Sequence, residues 1–262
     1  MTVPPEIVQL ISGSGNSFHA KVARWLRAKG WHVVVSPYYM DQTQNKAREI
    51  DLVAERLWPT ANSFGQRNGD LAVRLFIECK FIPAHSVFWF AEKNQTAAQE
   101  LVCSGGVFGR NNTYANKHHY LATSPKVAKL FTTEGGRGQE ADPFYKALNQ
   151  SLNAMTSMRG QPVTLPAPVR GRPWSPRVVL EFPVVVCSSF DQLFAVDFYD
   201  ETAPTKISEN FQLEVRYAYM DRGGSQRDDY FLLDVVEFDR LEAFANSIGE
   251  DAEVAAFFLA SS

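Results

Sequence analysis

The chain has 262 residues, of which 45% are hydrophobic, 13% aromatic and 21% charged, and its formal net charge is -3. That mix excludes a disordered, collagen-like or disulfide-scaffold protein, and the length allows one large domain or two small ones around a sizeable core. No apolar run approaches the roughly 20 residues that cross a bilayer, so no contact with a membrane is expected. The start, MTVPPEIVQL, has no basic stretch followed by an apolar one, which predicts no signal peptide. Cys79, Cys103 and Cys187 are odd in number and lack metal-ligand spacing, as expected for reduced thiols in a cytoplasmic protein.

The small net charge conceals a polarised chain. Residues 1–104 carry 11 Lys+Arg and 9 Asp+Glu, residues 105–180 carry 10 and 3, and residues 181–262 carry 5 and 17. A basic middle beside an acidic end permits a phosphate-binding surface that the average would hide.

In chain order, Phe18, Val22, Trp25 and Leu26 give an apolar face to a helix over 17–29, with Asn16 or Ser17 as cap and Gly30 as stop. Strands are predicted at 31–39, 49–57 and 71–81, with a turn at 62–70, and their short spacing favours an antiparallel meander. A helix over 93–103, a Gly/Asn-rich loop over 104–116 and a strand over 118–123 follow. Helical patterns then occupy 125–131 and 142–155, the second with Asp142 as cap and Pro143 at its first position. Five prolines in 160–176 mark a linker or long loop. Strands near 178–187, 194–199, 211–219 and 230–238 and helices near 240–248 and 252–259 close the chain. The expected class is α/β or α+β. Residues 1–155 form a core, 156–176 a linker, and 177–262 a C-terminal α+β subdomain for dimerisation, partner sensing or target selection.

The chemistry concentrates in Glu49-Ile50-Asp51 and Glu78-Cys79-Lys80, each at the polar tip of an otherwise apolar strand. Alternation points Glu49 and Asp51 one way and Glu78 and Lys80 one way. Such a polar cluster is costly to bury unless its members pair or bind a metal. Converging carboxylates can hold a divalent cation by hard oxygen ligands, while a lysine positions water or phosphate.

REIDLVA, followed about twenty residues later by FIECK and preceded by an amphipathic helix, resembles the PD-(D/E)XK nuclease superfamily, the restriction-endonuclease-like fold. The likeness covers roughly residues 15–125 in the order helix, strand, strand with Asp, strand with Glu-x-Lys, helix, strand. It implies a mixed sheet flanked by helices, Asp51 and Glu78 as metal ligands, the Cys79 backbone carbonyl as a further ligand, and Lys80 as the catalytic lysine. It also implies Mg²⁺ or Mn²⁺ as cofactor and DNA as partner, in restriction, repair or phage defence. Two positions depart from the pattern. Ile50 stands where the family name has proline, and His19 stands where the first helix often carries a glutamate. A histidine there can ligate a metal or a metal-bound water, or act as a base.

Gln95 and Gln99 share a face of the helix after Lys80 and are candidates to lie beside the site. Lys21, Arg24 and Arg27 on the first helix, with Arg110, Lys117, Lys126 and Lys129, could track a phosphate backbone. His118 and His119 are read as structural or surface residues, and the knot Phe88-Trp89-Phe90 as core. The leading expectation is a Mg²⁺-dependent nuclease. Its competitor is an inactive nuclease-fold module that binds nucleic acid, or a protein partner through the acidic C-terminal region; a homodimer is compatible with either.

Overall fold

The computed structural model describes residues 3–13, 15–61, 67–105, 107–108, 113–135, 142–165, 175–200 and 202–261. The predicted turn at 62–70, loop at 104–116 and proline-rich stretch at 160–176 lie partly outside those residues, and Arg110 lies wholly outside them. Helices α1 (Pro5–Gly13) and α2 (Gly15–Ala28) lead into β1 (His32–Val35), a ribbon of β2 (Tyr38–Asp41) and β3 (Lys46–Glu49), and the long strands β4 (Leu52–Ala61) and β5 (Arg67–Lys80). Next come β6 (Ser86–Glu92), α3 (Gln95–Ser104), α4 (His119–Ala122), β7 (Lys126–Thr133) and α5 (Pro143–Met158). The chain closes with β8 (Val178–Cys187), β9 (Leu193–Asp197), β10 (Thr205–Lys206), β11 (Phe211–Met220), β12 (Gln226–Glu237) and α6 (Leu241–Ser261).

Ten strands make one mixed sheet in the order β1-β4-β5-β8-β12-β11-β7-β6-β9-β10. β1, β4 and β5 form the expected antiparallel meander, interrupted by the β2–β3 ribbon. β5, β8 and β12 run parallel, so their C-terminal ends share one edge. Alternation along β5 divides the interior. Leu71, Val73, Leu75, Ile77 and Cys79 join the core shared with α2, α3 and α6, whereas Phe76 joins the core under α5. Arg74, Glu78 and Lys80 have the parity of Phe76.

The fold corrects several sequence expectations. Residues 177–262 are not a separate subdomain, because β8 fills the place beside β5 and β12 the next. The strand expected at 118–123 is a helical turn, since the His118 ring accepts the Tyr120 amide as an N-cap. The helix expected at 125–131 is β7, whose pairing with β6 and β11 overrides the local pattern. The two C-terminal helices are one, because Gly249 is tolerated inside α6, and α1 was not anticipated. The likeness places a helix and then a strand directly after the Glu-x-Lys strand. α3 occupies the helix position, but β6 precedes it and the expected strand is α4. The helix and strand beside β5 are instead α5 and β8, about fifty and sixty residues further on. α5 packs on β5 and β8, while α3 packs on β12.

Part of the charge polarity is consumed inside the fold. Lys126 pairs with Asp197 at 2.6 Å, and Lys129 with Glu214, so basic β7 meets acidic neighbours. Buried Arg74 joins Glu55 at 2.6 Å on β4 and Glu181 at 3.2 Å on β8. It also donates to the carbonyls of Gln161 and Pro162, holding the segment after α5 against the sheet.

The two adjacent histidines are buried, and they tie α4 to α6 and β12. His119 meets Asp251 through Nδ1 and Asp234 through Nε2 (3.2 Å), while His118 Nε2 lies 3.4 Å from Asp251 Oδ2. Donating to two carboxylates requires the imidazolium form. Burial alone would lower the pKa of His119, but Asp234 and Asp251 outweigh it and raise it to about 10. Its ion pairing therefore contributes in full below about pH 6.5 and is lost as pH rises through about 10. We expect His119→Gln to cost about 3–5 kcal/mol, the range for breaking a buried ion pair. Thermal melts should show wild type losing its advantage over the variant between those pH values.

Candidate active site

The candidate site lies where the start of β4 meets the C-terminal end of β5. Leu52 pairs with Ile77 in the antiparallel register, which brings Asp51 opposite Glu78. Each carboxylate accepts a main-chain amide from across the β4–β5 junction. Asp51 Oδ2 accepts the Cys79 amide at 2.8 Å, and Glu78 Oε1 accepts the Asp51 amide at 3.3 Å. Lys80, two residues along the same strand face, donates to Glu78 Oε2 at 3.0 Å. From α2, His19 Nε2 stands 3.2 Å from Asp51 Oδ2. The four residues singled out by sequence, His19, Asp51, Glu78 and Lys80, thus come together.

Their exposure differs in a way that matters chemically. The side chain of Glu78 is 1% exposed, whereas His19, Asp51 and Lys80 are 21%, 17% and 20% exposed. Burial, reinforced by the Asp51 charge, pushes the Glu78 carboxyl up to about 7 against the opposing pull of Lys80. The Cys79 thiol is driven well above its ordinary value, by burial first and then by Asp51 and Glu78.

Local backbone geometry holds the site open to one side. Ser36 adopts a left-handed conformation (φ 52°) between β1 and β2, and its amide donates to the Asp51 carbonyl at 2.8 Å. The Ile50 amide donates to Pro37 O at 3.2 Å, so the chain leaves the sheet as the β2–β3 ribbon and returns at Asp51. A non-glycine residue at positive φ is uncommon and persists where its surroundings over-determine it.

Other candidates are distributed more widely. Glu49 lies on β3 opposite Tyr38, and its side chain bonds the Tyr38 hydroxyl. Lys21 is exposed on α2 with its ammonium 4.0 Å from the Phe238 ring centroid, and Arg24 is exposed on the same helix. Gln95 and Gln99 are exposed on α3, the helix that packs on β12 rather than beside β5. Lys126 and Lys129 sit on β7, four places from β5 in the sheet, and both are engaged by carboxylates.

Two residues near the site were not anticipated. Gln150 of α5 reaches Glu49 O with Nε2 at 3.5 Å, taking the place expected of the glutamines on α3. The helix start at Asp142 was legible, but its crossing over β5 was not. The Cys79 side chain, as distinct from its carbonyl, lies with His19 and Asp51 so that one nitrogen, one oxygen and the sulfur are all within 4.8 Å of one another. The alternation of β5 could have signalled this, since Cys79 faces α2.

No family model, curated protein or solved structure matches the chain.

Because the folded-state value of Glu78 is raised, the native state binds more protons between about 4.5 and 7. The contribution of this carboxyl to stability therefore falls as pH rises through that window. Removing its lysine should raise its pKa further. Carbon-13 NMR of the metal-free protein should show Glu78 titrating at higher pH in Lys80→Met than in wild type. An unchanged midpoint would mean that Lys80 does not act on Glu78.

Proposed function

We propose that the chain is a metal-dependent nuclease that hydrolyses DNA phosphodiester bonds. The observation that carries this reading is the convergence of Asp51, Glu78 and Lys80 at a partly exposed strand end, with Glu78 buried and its proton affinity raised. Packing alone has no use for two carboxylates and a lysine there, and buried carboxylates are costly without a compensating cation. The path α2, β1, β4, β5, α5, β8 supports it further. With β6, α3, α4 and β7 set aside as an insertion, it has the order helix, strand, strand with Asp, strand with Glu-x-Lys, helix, strand of the likeness to the PD-(D/E)XK nucleases.

The donor chemistry fits a divalent cation, with Asp51 and Glu78 as the residues that would hold it. Bound there, Mg²⁺ or Mn²⁺ would polarise the scissile phosphate and lower the pKa of the attacking water. Lys80 keeps its ammonium beside Glu78, where it orients that water and offsets charge building on the phosphoryl oxygens. Asp51 is fixed by the Cys79 amide and keeps its carboxylate partly exposed. Basic residues on the exposed side of α2, Lys21 and Arg24, are available to a phosphate backbone at the same end of the molecule.

The test is cleavage of supercoiled plasmid and of labelled single-stranded DNA in Mg²⁺ and in Mn²⁺. Wild type should cut, Asp51→Asn should not, and Lys80→Ala should lose about 10²–10³-fold, the usual effect of deleting one charge-stabilising donor. Circular dichroism would confirm that both variants fold. Equal cutting by wild type and Lys80→Ala would refute the reading. DNA binding without cutting in either metal would favour the inactive nuclease-fold module instead.

A further inference from the structure

Asp51 belongs to two donor sets, and the two prefer different ions. Toward α5 it stands with Glu78, a pair of oxygen ligands suited to a hard cation. Toward α2 it stands with the His19 imidazole and the Cys79 thiol, and it is this set whose ligand atoms lie within 4.8 Å of one another. Among the described residues only one other group, formed by His118, His119 and Asp251, meets that spacing. There both ring nitrogens converge on a single oxygen, Asp251 Oδ2, and the second nitrogen of His118 accepts the Tyr120 amide. A metal on His118 Nε2 would put a proton on the nitrogen facing that amide, so the second group is a hydrogen-bonded junction.

Nitrogen, oxygen and sulfur donors together suit zinc and its neighbours in the first transition row, and a thiolate selects strongly against Mg²⁺. The surroundings also suit such an ion. Cys79 is 3% exposed and packs in the core with Val22 of α2, so the sulfur is held in place. His19 and Asp51 are partly exposed and leave a path from solvent. The fourth position, open toward the site entrance, would be left for water or substrate oxygen.

Resting on the nuclease reading for its consequence but not for its chemistry, we infer that His19, Asp51 and Cys79 form a binding site for a borderline-soft divalent ion of the Zn²⁺ class. Binding forms bonds to His19 Nε2, an Asp51 oxygen and Cys79 Sγ, and the thiol proton passes to solvent. An ion held there would occupy the Asp51 carboxylate, so Zn²⁺ competes with Mg²⁺ for the donor that both require.

The experiment titrates the metal-free, reduced full-length protein with Co²⁺, the spectroscopic stand-in for Zn²⁺. One equivalent should produce a thiolate-to-cobalt charge-transfer absorption in the near ultraviolet, with visible bands of tetrahedral intensity. Zn²⁺ should bleach both at stoichiometric amounts, whereas Mg²⁺ should leave them intact. Cys79→Ser should abolish the charge-transfer band. His19→Ala, a change at a partly exposed helix position that the fold tolerates, should keep the band but weaken affinity by about 10- to 100-fold or more, at least the loss seen for outer-shell changes. Co²⁺ bound without a charge-transfer band, or with the same affinity in His19→Ala, would overturn the inference. If the cobalt signature appears while no cleavage occurs in Mg²⁺ or Mn²⁺, the nuclease reading fails and the metal site stands. If cleavage occurs without the signature, the metal inference alone fails.

Discussion

The carboxylates of Asp51 and Glu78 are each anchored by a main-chain amide from across the β4–β5 junction, and the geometry of the site follows from that exchange. The Asp51 carboxylate takes the Cys79 amide and the Glu78 carboxylate takes the Asp51 amide. Hydrogen bonds to charged groups contribute about 1.5–3 kcal/mol each, so the register of β4 on β5 is reinforced where the ladder ends. The exchange fixes Glu78 on β5 and Asp51 in the bend immediately before β4, and hydrogen bonds of this kind are what hold a site's geometry. It also turns Cys79 toward α2 and Lys80 toward α5, which places the thiol and the ammonium on opposite sides of the same aspartate.

The position in the sheet explains how a long insertion leaves the site undisturbed. Residues 81–142 separate β5 from α5, yet their strands β6 and β7 extend the sheet on its far side, beyond β11. β8 therefore returns directly beside β5, and the three parallel strands β5, β8 and β12 end at one edge. In open α/β sheets the crevice outside the carboxyl ends of the strands is where ligands bind. Buried Arg74 joins Glu55 and Glu181 further along the same strands, so β4, β5 and β8 are also tied together by ionic contacts behind the site.

The parts of the structure that were legible in sequence are those where local pattern and tertiary context agree. α2, α5, β8 and β11 carry strong periodicity with caps or turns at their ends, and the structure places them close to the expected bounds. The segment from 118 to 133 was inverted, helix for strand, because its cues are weak. His118 acts through a ring nitrogen as a cap, which residue type does not advertise, and β7 is specified by its neighbours β6 and β11. The four residues His19, Asp51, Glu78 and Lys80 were legible because strand alternation and one helix face suffice to bring them together. Gln150 was not, since its approach to Glu49 depends on a crossover that no local pattern encodes. The carboxylate partners of Lys126 and Lys129 were not legible either, because they come from strands far along the chain.

Histidine rather than glutamate on α2 changes the electrostatics of the whole cluster. With His19 the metal-free site carries two acids against one lysine, and the imidazole can donate to Asp51. A third carboxylate at that position would repel Asp51 and raise the proton affinity of the group, as like charges sharing a site do. Such a site would depend on a hard cation merely to stay charged. The histidine avoids that repulsion; Asp51 is partly exposed and Glu78 is the buried member of the pair. The imidazole also brings a nitrogen within 4.8 Å of the Cys79 sulfur, so nitrogen and sulfur donors both lie beside the aspartate. The relief of repulsion and the added nitrogen donor both act through Asp51, because that is the carboxylate the imidazole faces.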